Sequence, residues 1–262
     1  MTNDDGFEEN EILDIVNILK LFLQFICNKR IISIDKVNLM KENEDTEYTA
    51  EMNIYSSETP FKVGRHKILN YNLIKDFIGD LLQEIANNTI CFRSLFNYEE
   101  NYITNIDIMN ICACFENQFK NTYPGYKDLA FKKVKKDICI YIENYVTEDY
   151  DEKCKYHFQE IKKWINYYKG TLKEKLEYAL NDYKTIMGDS FILHRFSKNY
   201  ENMPNKFKDA RNALNHGNMK YQFSSDEYRH VGLVRSIIYM MILKKIGMDA
   251  QKIKECIIQM FE

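Results

Sequence analysis

The chain has 262 residues, of which 45% are hydrophobic and 29% are charged, with three prolines and nine glycines. A chain of this length and composition folds around a substantial core and does not belong to the intrinsically disordered class. The net charge of −3 and the pI near 6.0 exclude a protein that binds nucleic acid over its whole surface, although they allow a local basic patch.

The first hundred residues combine two helical patterns with a region of alternating hydrophobicity. Apolar residues recur at helical spacing over residues 8–30 and again over residues 71–87, which predicts two amphipathic helices. Residues 31–41 and 47–55 alternate between apolar and polar side chains, and Asn43-Glu44-Asp45 lies between them. This pattern predicts a short β-hairpin.

From residue 103 onward the pattern is helical almost throughout. We predict helices over about 103–121, 127–146, 152–183 with a break near Gly170-Thr171, 205–216, 225–246 and from 249 onward. Residues 189–203 are predicted to be an irregular connector that brings His194 and Arg195 toward the helix after it. We place a domain boundary near residues 99–102, so that a small α+β module over residues 1–100 precedes a mainly α domain over residues 101–262.

A basic run and several aromatic rings occupy the middle of the helical region. Lysines stand at positions 132, 133, 135 and 136 of one predicted helix. Such a run is most often a solvated helix face, and the alternative is a ridge that contacts RNA. The rings of Trp164 and of the tyrosines around it are expected to be core or interface rings and not platforms for base stacking.

The cysteines and the N-terminus indicate the compartment. The seven cysteines are odd in number, scattered, and without a C-x2-C pair, which favours buried thiols in a reducing cytoplasm over a disulfide framework or a zinc site. The acidic N-terminus lacks a signal-peptide pattern, and no apolar run reaches the length of a membrane span. We therefore expect a soluble cytoplasmic protein without membrane association.

Four histidines have no partner at metal-ligand spacing, and we expect them to be surface or capping residues. These are His66, His157, His194 and His230. We expect no metal and no cofactor.

One stretch near the C-terminus, Arg211-Asn212-Ala213-Leu214-Asn215-His216-Gly217, brings Arg, Asn and His together on a predicted helix. Pro204 just outside the helix, Asn205 as N-cap and Gly217 at the C′ position would delimit it. Apolar residues recur along it at spacings of three and four, which predicts a stripe that faces the core: Phe207, Ala210 and Leu214.

The polar residues of this helix form a compact chemical set. Asn212 and His216 lie four residues apart on one face, and Arg211 flanks that face at about 140° around the helix axis from His216. A planar cation that forks onto phosphate oxygens, an imidazole that titrates near neutral pH and an amide that orients either of them suit phosphodiester chemistry.

This sequence resembles the R-x4-H motif of the HEPN superfamily, including the polar residue after the Arg and the Gly after the His. The stretch around residues 111–116 is similar to the ApeA-like HEPN branch of bacterial anti-phage proteins, and the resemblance covers about residues 103–262. It implies a C-terminal antiparallel helical bundle. The α+β module before it would be a remnant of a larger N-terminal domain or a sensor.

The resemblance implies a metal-independent endoribonuclease that acts in anti-phage defence or in toxin-like abortive infection. The RNA 2′-hydroxyl would be the nucleophile, and the product would carry a 2′,3′-cyclic phosphate. His216 would transfer protons, Arg211 would stabilise the phosphoryl oxygens, and Asn212 would orient the imidazole or the phosphate. Glu116 would hold Arg211 or His216 in place, and the alternative reading of Glu116 is an ordinary flanking carboxylate.

The implied partners are tRNA or another single-stranded RNA, a second copy of the chain that completes the site as a homodimer, and an antitoxin or a phage-derived trigger. A non-catalytic HEPN module that binds nucleotide or RNA, or serves as a scaffold, is the alternative function. A third reading is a HEPN toxin silenced by a nucleotidyltransferase that modifies a Tyr just after the motif. It is disfavoured because position 218 is Asn and the nearest Tyr is Tyr221.

Overall fold

A computed structural model describes residues 7–29, 32–43, 46–54, 68–92, 95, 103–126, 129–146, 150–167, 170–218, 221 and 224–262. Within these residues the chain is mainly helical with one small antiparallel hairpin, which confirms the predicted fold class. The proposed boundary near residues 99–102 lies outside the described residues.

The N-terminal helix and the hairpin follow the predicted order. Helix α1 spans Glu9–Cys27, and a capping box between Glu8 and Glu11 satisfies backbone donors at its start. Strands β1 (Lys36–Asn43) and β2 (Thr46–Asn53) pair in antiparallel register. The predicted hairpin is therefore confirmed, although its first strand begins five residues later than the alternating pattern indicated.

The single helix predicted over residues 71–87 is corrected to two helices with a tighter turn between them. These are α2 (Tyr71–Ile74), a 3-10 turn (Lys75–Phe77) and α3 (Ile78–Ala86). Ile74, Leu81 and Ile85 are buried across the interruption, so the apolar pattern continues through the change in winding.

The rest of the chain is a series of helices, most of which contribute to one core. In chain order the helices are α4 (Asn105–Thr122), α5 (Leu129–Tyr145), α6 (Glu152–Tyr167), α7 (Leu172–Met187), α8 (Asp189–Arg195), a 3-10 turn (Tyr200–Asn202), α9 (Met203–Asn215), α10 (Ser225–Lys245) and α11 (Ala250–Phe261). In the part of the chain that the structure describes, all of them except α5 and α6 contribute to that core. The predicted break at Gly170-Thr171 is present, because Gly170 has a φ of 89° and Thr171 caps α7. The prediction of an irregular connector over residues 189–203 was wrong, since burial of Ile192 anchors the short helix α8 there.

Helix α10 lies at the centre of the fold. It packs against α4, α7, α9 and α11, and its residues from Val231 to Leu243 are buried with few exceptions. A helix enclosed in this way needs apolar side chains around its whole circumference. The N-terminal helix belongs to the same core: the ring of Phe25 stacks on Tyr239 at 4.6 Å, and the Tyr239 hydroxyl donates to the Phe25 carbonyl oxygen at 3.0 Å.

Helices α5 and α6 form an antiparallel hairpin that packs chiefly on itself. The ring of Tyr145 contacts Phe158, and Lys162 forms an ion pair with Glu143. Trp164 is 76% exposed, so it is not a core ring of the single chain, and its role as an interface ring stays a prediction. The reason for the exposure is that α6 presents only one side to α5 and the other side to solvent.

None of the helices in the described part of the chain combines the length and the apolar content that crossing a bilayer requires.

Candidate functional site

Helix α9 positions the motif residues. It begins at Met203 with Asn202 at the N-cap, and Pro204 lies within its first turn. The prediction that Asn205 caps this helix was therefore wrong. Proline is tolerated in a first turn because its missing N–H would have no partner there. Of the predicted core stripe, Phe207 and Ala210 are buried and Leu214 packs partly buried against the core.

The C-terminus of α9 is closed by a Schellman motif. Gly217 has a φ of 78°, its N–H donates to the Leu214 carbonyl at 3.0 Å, and the Asn218 N–H donates to the Ala213 carbonyl at 3.0 Å. His216 is the C-cap residue, with its own N–H bonded to the Asn212 carbonyl at 3.1 Å. The backbone at His216 is thus fixed from both sides, while its side chain is exposed.

Arg211 forms an ion pair with a carboxylate on another helix. Its Nη2 lies 3.0 Å from Glu116 Oε2 on α4, and Lys175 Nζ on α7 lies 2.9 Å from Glu116 Oε1. The exposed side-chain fractions are 36% for Arg211, 24% for Glu116 and 15% for Lys175. One carboxylate facing two cations leaves a unit of positive charge in this cluster, which favours an anionic ligand beside it.

A buried thiol lies beneath this cluster. Cys112 is on α4, one turn before Glu116, and is fully buried. Burial raises the pKa of the Cys112 thiol to about 12, whereas the nearby Arg211 charge lowers the pKa and the Glu116 charge raises it. The thiol therefore stays neutral at physiological pH, and the ionic character of the site comes from Glu116, Lys175 and Arg211.

The structure brings some of the predicted site residues together. Glu116 contacts Arg211 directly, and Asn212 and His216 lie exposed along the same end of α9. No side-chain hydrogen bond of Asn212 or His216 is found among the described residues. Both side chains are accordingly available to a ligand.

Sequence reasoning missed Lys175. It lies 59 residues from Glu116 in the chain, and no local pattern relates the two positions. The sequence Thr171-x-x-Glu174 is a capping box that fixes the start of α7, and it would have placed Lys175 in the first turn of that helix. The pairing with Glu116 arises from the packing of α7 against α4.

The remaining histidines differ in environment. His157 and His194 are exposed, while His66 lies outside the described residues. His230 is 2% exposed, so its prediction as a surface or capping residue was wrong; it lies on α10, which the fold encloses. Among the residues that the structure describes, no three His, Cys, Asp or Glu side chains lie close enough together to hold a metal ion.

The comparison with protein families identifies one match. Residues 109–252, more than half of the chain, match the family model described as Apea-like HEPN. The matched region contains Glu116, Lys175, Arg211 and His216. Comparison with curated proteins and with solved structures gave no match.

Proposed function

Because the chain belongs to the Apea-like HEPN family, we propose that it is a metal-independent endoribonuclease that acts in anti-phage defence or in toxin-like abortive infection. HEPN domains are often ribonucleases. The observation that supports this function most directly is that Glu116 holds Arg211 on the helix whose C-terminal end presents an exposed His216.

The proposed reaction uses the nucleophile that RNA supplies. The 2′-hydroxyl attacks the adjacent phosphorus, the bond to the 5′-oxygen of the next nucleotide breaks, and a 2′,3′-cyclic phosphate remains. His216 transfers protons at the 2′-oxygen or the leaving 5′-oxygen. Asn212, four residues before it, orients the imidazole or the phosphate.

Arg211 stabilises the negative charge on the phosphoryl oxygens. A guanidinium has five N–H donors in a rigid plane, and the contact with Glu116 uses one edge of that plane. The other donors remain for phosphate oxygens. Lys175 pairs with the second oxygen of Glu116. The carboxylate therefore orients Arg211 while the cluster keeps a net positive charge.

We propose that two copies of the chain pair so that their α9 helices share one cleft. Arg211 and His216 are separated by about 7.5 Å along the helix axis and by about 140° around it. One copy therefore presents its Arg and its His in different directions. A two-fold arrangement lets the His216 of one copy and the Arg211 of the other face the same phosphate.

A non-catalytic module that binds RNA or nucleotide is the second candidate. The observation in its favour is that Arg211 already has an ion-pair partner within the chain. An Arg and a His near a helix C-terminus also interact favourably with the helix dipole, which gives both a structural role.

Cleavage of total tRNA and of a single-stranded RNA in EDTA separates the two candidates. Wild type, His216→Ala, Arg211→Lys and the control His194→Ala, an exposed histidine on α8, are compared with end-group analysis of the fragments. Catalysis predicts cyclic-phosphate ends from wild type and the control alone, since Lys cannot reproduce the fork of Arg. Intact RNA with all four proteins, or equal cleavage by all four, supports the binding module.

Sedimentation velocity tests the pairing. A composite site predicts a dimer of this 31.4 kDa chain and a cleavage rate per chain that falls when the protein is diluted into the monomer range. A monomer with a concentration-independent rate per chain contradicts the shared cleft.

A further inference from the structure

A groove runs along helix α5 where α6 lies beside it. Its volume is about 700 Å³, and its lining includes Lys132, Lys133, Lys135, Lys136, Ile140 and Asn166. The groove is open to solvent and is lined by residues of both helices of the α5–α6 hairpin. It is a surface that neither Arg211 nor His216 lines.

The positive charge of this groove is largely uncompensated. Among the lining residues that the structure describes, the one acidic side chain is Glu143, which forms an ion pair with Lys162. No ion pair is found for Lys132, Lys133 or Lys136 within the part of the chain that the structure describes, and all three are exposed. Three free cations on one groove of a chain with a net charge of −3 form a local site for an anion.

The spacing of the lysines favours a polymer of phosphates over a single one. Lys132 and Lys136 lie four residues apart and therefore about 6 Å apart along the helix axis, with Lys133 beside them around the helix. A row of cations in an open groove neutralises successive phosphates of a strand.

The opposite face of α5 is apolar. Val134, Ile138, Tyr141 and Tyr145 are exposed there, about 180° around the helix from the groove. A helix that lies on a lipid surface buries its apolar face and keeps its Lys and Arg side chains on the other, polar face. A bilayer would therefore engage the apolar face of α5 and not the groove, which leaves the groove to a ligand in solution.

The groove and the proposed active site are linked by a short stretch of chain, which limits the distance between them. Asn166 precedes Lys175 by nine residues, and a chain of that length spans at most about 30 Å. We infer that the α5–α6 groove binds the phosphodiester backbone of the RNA strand that is cut at the α9 site. That the bound strand is the RNA that the protein cleaves rests on the proposed function. That the groove binds a strand of phosphates follows from its charge and shape alone.

Fluorescence anisotropy of a labelled single-stranded RNA tests the groove directly. The measurement uses His216→Ala protein, so that the RNA stays intact, with and without the triple change Lys132→Ala, Lys133→Ala and Lys136→Ala. Each lost phosphate contact makes the slope of log affinity against log salt shallower by about 0.7, and hence by about 2 for the triple variant. At 0.1 M salt we expect affinity to fall by at least about tenfold.

Two further triple variants serve as controls. Lys75→Ala, Lys153→Ala and Lys198→Ala remove the same charge from exposed lysines outside the groove and are expected to change the slope little. Changing the three groove lysines to Arg keeps the charge and is expected to keep the affinity. An unchanged helical signal in the far-UV circular dichroism spectrum of the groove variant shows that the hairpin is folded, since the hairpin packs chiefly on itself.

The outcomes separate the groove from the proposed catalysis. Three outcomes overturn the inference. The groove and control variants have equal effects, or the parent protein does not bind RNA, or poly-glutamate binds through the same lysines more tightly than RNA does. Loss of RNA binding confined to the groove variant supports it. If that loss occurs but wild-type protein cuts no RNA, the groove stands and the endoribonuclease proposal fails.

Discussion

Glu116 and Arg211 lie on different helices, and their ion pair, 3.0 Å between Oε2 and Nη2, joins α4 to α9 beside the motif. The other oxygen of Glu116 accepts Lys175 from α7 at 2.9 Å. The orientation of the motif arginine is therefore set by three helices that also pack on the core. Because Glu116 is only 24% exposed, solvent and salt screen these contacts less than they screen a pair on the open surface.

Glu116→Gln keeps the shape of the side chain and removes its charge. Arg211 then loses its orienting partner, and we expect RNA cleavage to slow by about 10–100-fold, since a small misplacement of a reacting group costs that much. Loss of both ion pairs should lower the free energy of unfolding by about 1–2 kcal/mol, between the values for surface and buried pairs. Single-turnover cleavage and urea unfolding measure the two effects.

Lys175→Gln is the matched control for that change. It removes one ion pair and leaves the contact between Glu116 and Arg211 in place. We expect a loss of stability but a reduction in cleavage of less than about tenfold. Equal rate losses in the two variants would contradict an orienting role of Glu116, because Lys175→Gln leaves the contact between Glu116 and Arg211 in place.

Gly217→Ala tests the helix end that fixes His216. The φ of 78° disfavours any residue with a Cβ, although an added Cβ would meet no atom within 4 Å. The cost should be about 1–2 kcal/mol of unfolding free energy, from backbone strain alone. Relief of that strain shifts the His216 backbone, and we expect slower RNA cleavage.

Gly247→Ala provides the comparison. Gly247 ends α10 with a φ of 83° and the same pair of backbone hydrogen bonds, and it also has open space around the position of an added Cβ. It should lose as much stability as Gly217→Ala and retain full cleavage. Reduced cleavage in both variants would assign the effect to stability.

Phe25→Ala tests whether the N-terminal helix unfolds with the rest of the chain. Phe25 is fully buried and stacks on Tyr239 of α10, so its truncation should cost about 3–5 kcal/mol. We expect one urea transition that shifts equally in helical and aromatic signals. Tyr71→Ala, a ring that is 66% exposed, should change stability by less than about 0.5 kcal/mol. A separate early transition in Phe25→Ala would indicate that residues 1–100 fold independently.

The buried thiol of Cys112 should make the folded protein less stable at alkaline pH. Burial raises the pKa of its thiol to about 12, above the value near 8.5 of an exposed thiol, so folding favours the neutral form. The contribution of this thiol to the free energy of unfolding is complete below about pH 8.5. It declines as the pH rises toward 12, by up to about 1.4 kcal/mol per pH unit. Urea unfolding of wild type and Cys112→Ala between pH 8 and 10.5 should show the steeper decline in wild type. Parallel curves would mean that the thiol is not held neutral by the fold.

Features that depend on neighbours along the chain could be predicted from the sequence. The stripe of Phe207 and Ala210 follows from helical periodicity, and the helix end follows from the conformational freedom of Gly217. The contact between Lys175 and Glu116 could not be predicted, because the packing of two helices decides it. Burial of His230 has the same origin.

The remaining differences also come from tertiary packing. Residues 189–195 lack a long periodic pattern, and α8 forms because Ile192 enters the core. Trp164 is a large aromatic residue of the kind often found in cores, but it lies on the α5–α6 hairpin, which packs outside the core. Periodicity along the chain predicts whether a segment is a helix or a strand more accurately than it predicts which other segments that element contacts.

The enclosure of α10 also governs how the protein behaves once it is denatured. Its run from Val231 to Leu243 contains one charged residue, Arg235, and many β-branched or aromatic side chains. Unfolded chains expose this run, and exposed segments of that composition associate into intermolecular β-structure. We therefore expect heating to end in irreversible aggregation, with an apparent Tm that depends on scan rate and protein concentration.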